Sequence, residues 1–488
     1  MKSSKIINKL EWMLLLCTLL VPPAFGAETT DSVNSSADFA MQWKKSLPVD
    51  ERDSSIGIIG GTEARSLVGM DGRLYAGIGY WSDSQENNPR LPGGQVLVLD
   101  SPKGNWKVDL NLDQRITTGA AAGKRRYFAI AMLYGATFKS DFKGRALAQP
   151  IHMLLAGAWD RAGQLQVFSK LGTSGAWTTT DLSPANESHH AEIRSFFVYR
   201  DKVTNIEHVF AGTRVNNVPD STRIYSGTFD SSDEKIHWDK TQEAWGKNTP
   251  DLSRTTRASG RITGFAECNG KLYASVYNMI FERQDGPHPI WNLVYSHVPQ
   301  KPFEEGSSGF RGLSAVNIPG QKYQQLLVTL EHNPCIIFRI NPSTFKSVAE
   351  INVSAKLREQ WNTKVGYIIA GYNDMLACDD PLALQPLTLI GMETATPMLE
   401  GRFHSFNADA HYLVRRGDGQ YSVQPIADHT LDYRPNMVSV RTMVRSPFAD
   451  DPAGTIYAGG FDANSVPVHN TAWIYRGVRQ SPPQSSQR

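Results

Sequence analysis

Cysteine is scarce in this chain. Four occur in 488 residues, and Cys17 falls inside an N-terminal stretch that reads as a cleaved export signal. Cys268, Cys335 and Cys378 remain, and an odd number cannot pair completely within one chain. At least one thiol is a buried small hydrophobe, a metal ligand or a partner for another chain. Long apolar runs are missing as well. The stretch Trp12 to Val21 is too short to cross a bilayer, and no run of about 18 apolar residues follows it, so no membrane span is expected. Charge of one sign is also missing. Lys and Arg number 50 against 48 Asp and Glu, for a net charge of +2, which excludes a broadly basic nucleic-acid binder. There is no GxSxG elbow, no HExxH pair, no phosphate-binding loop and no dinucleotide fingerprint, so no organic cofactor is expected.

The N-terminus has the features of an export signal. Lys2, Lys5 and Lys9 give the positive start, and Ala24 and Gly26 are placed for cleavage after residue 26. The mature protein is expected to be secreted or periplasmic. Residues 27–59 are polar and Ser-rich, which predicts a flexible lead-in, and the tail 479–488 predicts disorder for the same reason. Length alone suggests two or three domains. An internal repeat points instead to one domain over 60–478.

That repeat is a strand pattern. Gly72-Arg73-Leu74-Tyr75-Ala76-Gly77 matches Gly270-Lys271-Leu272-Tyr273-Ala274-Ser275 and Gly454-Thr455-Ile456-Tyr457-Ala458-Gly459. Each is a turn glycine followed by the two-residue alternation of a half-buried strand. Looser versions follow in MLLAGAW, HVFAGTR, QLLVTLE and LTLIGME. Third strands (QVLVLD, CIIFRI, TAWIYRG) and aromatic fourth strands (GNWKVDL, PIWNLVY, GQYSVQPI) complete a four-stranded unit. Forty glycines, 27 prolines and 10% aromatics suit many short strands and turns. The expected fold is all-β, a seven-bladed β-propeller with four antiparallel strands per blade, and 353–363 is the candidate for one or two helical turns.

A basic residue precedes the first apolar run of each repeat: Arg65, Arg115, Arg194, Arg261, Arg311, Lys364 and Arg441. In a propeller these seven cations would ring the axis on one face and hold an anionic ligand there, since guanidinium groups take carboxylate or sulfate through paired hydrogen bonds. A plainer alternative has each arginine bridging to an acid of the neighbouring blade, with Glu63, Glu192 and Glu331 as candidate partners. Chain direction puts the loops after each second strand on the same face. They supply Tyr80, Trp81, Trp159 and Arg214, with Trp81 and Trp159 available to stack on sugar faces.

Three further groups carry potential chemistry. His189 and His190 lie just before Arg194 and can move protons near neutral pH. Tyr277 sits on a short loop where a cationic pocket would lower its phenol pKa, with Tyr80 and then Tyr372 as the next candidates. His332 and Cys335 form an H-x-x-C unit that, with His404 and His469 on the neighbouring repeats, suits a structural Zn²⁺. No carboxylate pair stands out for glycoside hydrolysis, although Asp83, Asp160, Glu331 and Asp462 share the face.

In its export signal, single repeated domain, arginine-rich face and His/Cys ligands, the chain resembles the secreted seven-bladed polysaccharide lyases that cleave ulvan, a sulfated, uronate-containing polymer. The resemblance implies a monomeric enzyme that acts on an anionic polysaccharide by β-elimination. A tyrosine or histidine (Tyr277, His189 or His190) would serve as base and Arg194 or Arg261 would neutralise the uronate carboxylate. Some members of that group carry a structural zinc. The alternatives are a non-catalytic carbohydrate- or protein-binding propeller and, after that, a glycoside hydrolase.

Overall fold

The computed structural model describes residues 39–47, 52–53, 57–80, 93–119, 122–184, 190–215, 222–250, 252, 261–297, 309–332, 334–396, 405–406, 410–428, 437–461 and 472–480. Strand is the main regular structure among them, with one α-helix, Val353–Trp361, and the fold is all-β. That helix is capped by Asn352, whose side chain accepts from the amide of Ala355, and is ended by Asn362 in the left-handed region. Such side-chain caps satisfy the orphaned end groups of a short helix. No described helix is long and apolar enough to cross a membrane.

The strands fall into four-stranded antiparallel units. The first is Glu63–Met70, Arg73–Gly79, Gly94–Leu99 and Lys107–Leu112. In the second, Tyr127–Ser140 and Ala146–Asp160 form a long hairpin that continues into Gln166–Leu171 and Trp177–Asp181. The third is Ala191–Arg200, Glu207–Val215, Ile224–Asp230 and Lys235–Trp238. Ile262–Cys268, Lys271–Val276, Met279–Gln284 and Ile290–Ser296 make the fourth. The fifth is Phe310–Val316, Gln325–Leu330, Ile336–Ile340 and Ser347–Asn352. In the sixth, the first strand is broken into Ile368–Ala370 and Leu376–Asp380, both paired with Gln385–Thr396, and Ala410–Arg416 and Tyr421–Ile426 follow. The seventh takes Ser439–Arg445, Ile456–Phe461 and Ala472–Arg479 from the C-terminal end of the chain and its outer strand, Met41–Leu47, from the N-terminal end.

That last strand corrects the expectation of a flexible lead-in over 27–59. Residues 41–47 carry only two strongly apolar side chains on the buried side, Trp43 and Leu47, which are 4% and 5% exposed. Trp43 meets Tyr412 edge-on at 5.8 Å. The partner strand is more than 400 residues away in sequence, so local composition carried no sign of the pairing. The proposed leader 1–26 and the tail residues 481–488 lie outside the described residues.

The core lies between units rather than within them. Seven hydrophobic clusters each straddle two sequence-adjacent units, and one of them joins the seventh unit to the first through Leu67, Leu74, Tyr457 and Ile474. Trp106, Trp291 and Trp473 are fully buried in these wedges. The second-strand glycines of the repeat permit the close approach. A Cβ on Gly157 would sit 2.6 Å from Ile193 of the next unit, and one on Gly212 would sit 2.5 Å from Ile262.

Hydroxyl groups on the first strands add polar links across the same joints. Ser66 accepts from the amide of Leu133 at 3.0 Å, Ser195 donates to the carbonyl of Ile262 at 3.0 Å, and Thr263 donates to that of Phe310 at 2.8 Å. Thr442 of the seventh unit accepts from Leu67 of the first at 3.4 Å. These groups are buried, so each link satisfies backbone that water does not reach. Ser66→Ala strands the Leu133 amide and is expected to cost about 1–3 kcal/mol. Chemical denaturation checks this, and an unchanged midpoint would show that the link is dispensable.

Candidate functional site

A β-bulge recurs near the start of the first strands. Arg65 is the extra residue between Ala64 and Ser66, Arg194 between Ile193 and Ser195, and Arg441 between Val440 and Thr442. A bulge re-aims a side chain that regular alternation would send elsewhere, and here it turns arginines inward. Arg65, Arg194, Arg311 and Arg441 are 2%, 3%, 3% and 4% exposed. Charge this deeply buried needs partners, and acids two residues earlier on the same strand or on a neighbouring unit provide them.

The pairs run as a chain from unit to unit. Glu393 lies 2.5 Å from Arg441, which lies 2.6 Å from Glu63. Glu63 is 3.6 Å from Arg65, Arg65 is 3.7 Å from Glu192, and Glu192 is 3.8 Å from Arg194. Separately, Arg311 meets Glu331 at 2.7 Å and Arg214 meets Glu192 at 3.1 Å. Glu63, Glu192 and Glu331, named from sequence as the alternative partners, are all engaged, and Glu393 joins them. The chain is tight at Arg441 and loose at Arg65 and Arg194. The Nε atoms of both loose arginines, and Nη1 of Arg311 and of Arg441, make no hydrogen bond although buried. Burial works against the Glu192 carboxylate, but Arg194, Arg214 and Arg65 outweigh it and hold its pKa down to about 2.

At the centre of these arginines stands Tyr372. It belongs to a detour, residues 371–375, that separates the two halves of the sixth unit's first strand. The facing strand has only Gly391 and Ile390 between the partners of Ala370 and Leu376. Gly371 starts the detour at φ +64. The Asn373 amide donates to the carbonyl of Arg65, and the Asp374 carboxylate accepts from the Thr442 hydroxyl at 3.4 Å. Met375 fills the space over Gly312, where a Cβ would fall 2.9 Å from its Cγ. The detour thus touches the first strands of the first, fifth and seventh units.

The Tyr372 ring lies 3.9 Å from the Arg441 guanidinium carbon, 5.0 Å from that of Arg311 and 5.1 Å from that of Arg194. Burial disfavours its phenolate, but Arg194, Arg65 and Arg441 prevail and pull its pKa down to about 7, against the opposing Glu63. Burial pushes the neighbouring Asp374 carboxyl up to about 7. Arg261, partly exposed at the edge of the same cluster, is pushed down to about 9 by burial and then by Arg311, Arg214 and Arg194. Among the described residues, four buried arginines stand with Glu63, Glu192, Glu331 and Glu393, and Arg214 and Arg261 lie beside them.

Several sequence expectations require correction. Arg115 is not on a first strand; it lies in the turn after Lys107–Leu112, bridging to Arg125 and 3.7 Å from Asp113. The first strand of that unit begins at Tyr127, and its bulge residue is Phe128. Lys364 is exposed and precedes the strand Ile368–Ala370, because only the end of its apolar run pairs. Tyr80 is fully buried under Arg125 at 4.6 Å, with its hydroxyl 3.3 Å from the Gly60 carbonyl, so it does not line a surface. Tyr277 takes a positive φ of 54 and packs in a hydrophobic cluster with Val276 and Trp291. The lowered phenol expected of it is found at Tyr372.

Other expected residues do assemble. Trp159 is partly exposed and lies 5.5 Å from the Arg65 guanidinium carbon and 6.0 Å from that of Arg214, with His190 edge-on at 6.5 Å. His332 sits 4.9 Å from Tyr367 and 3.8 Å from Glu331. Trp81, His189, His404 and His469 lie outside the described residues. Cys335 does not fit the proposed zinc set. Its side chain is 0% exposed in a core cluster with Val353 and Ile368, and burial raises its thiol pKa, the reverse of what a thiolate ligand needs. Cys268 and Cys378 are buried free thiols as well. Of the four carboxylates considered for a glycosidase, Asp83 and Asp462 lie outside the described residues, and Asp160 and Glu331 are paired with arginines. Asp160 is gripped by Arg126 at 2.9–3.2 Å, and Arg311 and Arg261 hold Glu331 below its usual pKa against burial.

Glu192 gives a test of the charge network. Glu192→Gln leaves Arg65, Arg194 and Arg214 without their shared carboxylate and is expected to cost about 3–5 kcal/mol at neutral pH. A carboxylate with a depressed folded pKa contributes stability that is present above its unfolded value and lost as pH falls through the folded one. Wild-type stability should therefore decline between about pH 4.5 and about pH 2, and part of that slope should vanish in the variant. Denaturation midpoints across this range decide it.

No family model matches the chain, and no curated protein matches it. Among solved structures it is similar to the NanB sialidase from Streptococcus pneumoniae, at 10% identity and a TM-score of 0.39 over 89% of this chain and 70% of that one. It is also similar to the BP39L lectin from Burkholderia pseudomallei, at 12% identity and a TM-score of 0.38 over 76% and 97%. A β-xylosidase/α-arabinofuranosidase from a compost microbial metagenome gives 11% identity and a TM-score of 0.30 over 64% and 98%.

Proposed function

We propose that the seven units close into a seven-bladed β-propeller of an exported protein, and that its central basic cluster cleaves an anionic, uronate-containing, ulvan-like polysaccharide by β-elimination. Closure is supported by the cluster and the Thr442 link between the seventh and first units. The reading of activity rests on one observation: a phenol with pKa about 7 stands among buried guanidinium groups.

β-Elimination needs a neutralised carboxylate, a base for the proton beside it and a proton for the departing oxygen. Arg65 and Arg194 suit the first role, because they are loosely paired and have donors to spare. Arg441, held from both sides, is structural. Pairing the uronate carboxylate with guanidinium stabilises the negative charge that builds on it as the C5 proton leaves. Tyr372, ionised near neutral pH, takes that proton. The electron pair forms the C4–C5 double bond and expels the C4 oxygen. The Tyr372 phenol, now protonated, returns the proton to that oxygen. Trp159 offers a stacking face beside Arg65 and Arg214. Sugar stacking and ion pairing of this kind weaken with salt only in the second part.

The near-balance of arginine and glutamate in the cluster favours a second reading, a propeller that binds the polymer without cleaving it. The test is release of unsaturated uronate, followed by ultraviolet absorbance, from ulvan, alginate, pectin, chondroitin and heparin. The account expects activity on one of them, reduced about 10²–10⁴-fold in Tyr372→Phe and rising with pH through about 7 in the wild type. Salt-sensitive binding without product on any of these polymers would establish the binding propeller instead.

A further inference from the structure

Outside the central cluster, the strongest feature is the exposed group Asp230, Asp233 and His237. Asp230 is already occupied by Ser232 and His237 by Asp233, and nothing else there points to a metal. The central cluster carries more.

Tyr372 is held among charges from four strands. Arg65 and Glu63 face it from Glu63–Met70, Arg194 and Glu192 from Ala191–Arg200, Arg311 from Phe310–Val316, and Arg441 from Ser439–Arg445. The glutamates are pinned by their arginines. Tyr372 and the neighbouring Asp374 are therefore the groups through which this cluster gains negative charge near neutral pH, and Tyr372 is the one whose ring lies against the guanidinium groups. Arg65 and Arg194, two of the guanidinium groups that stabilise its phenolate, each keep a buried Nε without a hydrogen bond and are only loosely paired, whereas Arg441, whose Nη1 also makes no hydrogen bond, is held closely by Glu393 and Glu63. One set of cations serves both an internal anion and an external one.

We propose that an anionic ligand seated at Arg65 and Arg194 makes Tyr372 a stronger base, by drawing on the same guanidinium field that stabilises its phenolate. The inference rests on the reading of this cluster as the ligand site. In the free protein the phenolate forms readily but is a weak base. A carboxylate arriving within about 6–8 Å repels it, and at an effective dielectric near 20 that repulsion raises its proton affinity by about one to two pH units. The base is then strongest when an acidic ligand is in place, and a neutral ligand of the same shape leaves it weak. Selection for acidic sugars thus acts on the chemical step as well as on binding. By linkage the effect is reciprocal: the ligand binds the phenol form more tightly, and its affinity falls as pH rises through the Tyr372 midpoint.

The test uses D-glucuronate, whose C4 bears only a hydroxyl, and its neutral methyl ester. Tyrosinate absorbance of the mature protein is titrated alone, with saturating glucuronate and with the ester, while calorimetry measures binding. A transition near pH 7 that disappears in Tyr372→Phe is expected. Glucuronate should move it up by about one pH unit or more, and the ester should not. Glucuronate affinity should drop about tenfold or more from pH 6 to pH 9 in the wild type and clearly less in Tyr372→Phe, where only Asp374 and Arg261 still titrate. A transition that persists in Tyr372→Phe, or one unmoved by glucuronate that binds and depends on Arg194, overturns the inference and leaves the site reading standing. Glucuronate that does not bind, or binds Arg194→Ala equally well, overturns the site reading and the inference with it.

Discussion

Everything at the centre of this molecule depends on arginine and glutamate held together out of water. Removing such charges from solvent costs several kcal/mol per ion, and only close, complementary placement offsets it. The chain from Glu393 through Arg441, Glu63, Arg65 and Glu192 to Arg194 meets this demand unevenly. Its tight end joins the sixth, seventh and first units, where the N- and C-terminal parts of the chain meet. Its loose end lies beside Trp159 and Arg214, and Tyr372 sits between the two ends, 3.9 Å from Arg441 and 5.1 Å from Arg194. A single network thus shades from a fastener into a binding surface.

Local backbone geometry makes the network possible. Glu63-Ala64-Arg65-Ser66 and Glu192-Ile193-Arg194-Ser195 share one pattern, and Ser439-Val440-Arg441-Thr442 varies it. The acid pairs with arginine, the bulge turns the arginine to the centre, and the hydroxyl reaches the next unit. Three consecutive functions follow from one inserted residue, because a bulge changes direction within a single step of the strand. Where the pattern is missing, the centre is filled otherwise. The second unit places Phe128 at its bulge, and the sixth breaks its strand and sends in Tyr372.

Much of this was legible beforehand. Alternating strands such as Arg73–Gly79, Lys271–Val276 and Ile456–Phe461 are marked by local pattern, and so is the helix at 353. The acid two positions before Arg65 and Arg194 was also in plain view, but its meaning depends on the bulge, which no periodicity reveals. Arg115 and Lys364 misled because a basic residue before an apolar run is common, and pairing alone decides whether that run starts a strand. Tyr372 is less conspicuous in the sequence than Tyr277, since the Gly-Tyr-Asn-Asp segment reads as an ordinary turn. Turn residues inside an expected strand were the available signal for its interruption. Cys335 followed a metal-like spacing into a hydrophobic core, where spacing says nothing about burial.

The central claim is that one ion network divides into a structural end and a ligand end. Comparing Arg441→Ala with Arg194→Ala tests it most directly, by denaturant unfolding and by binding of an acidic oligosaccharide to each folded variant. The account predicts that Arg441→Ala loses about 3–5 kcal/mol of stability, while Arg194→Ala remains close to wild type in stability and loses binding by tenfold or more, about 1.4 kcal/mol. Equal stability losses, with binding unaffected by either change, would contradict it.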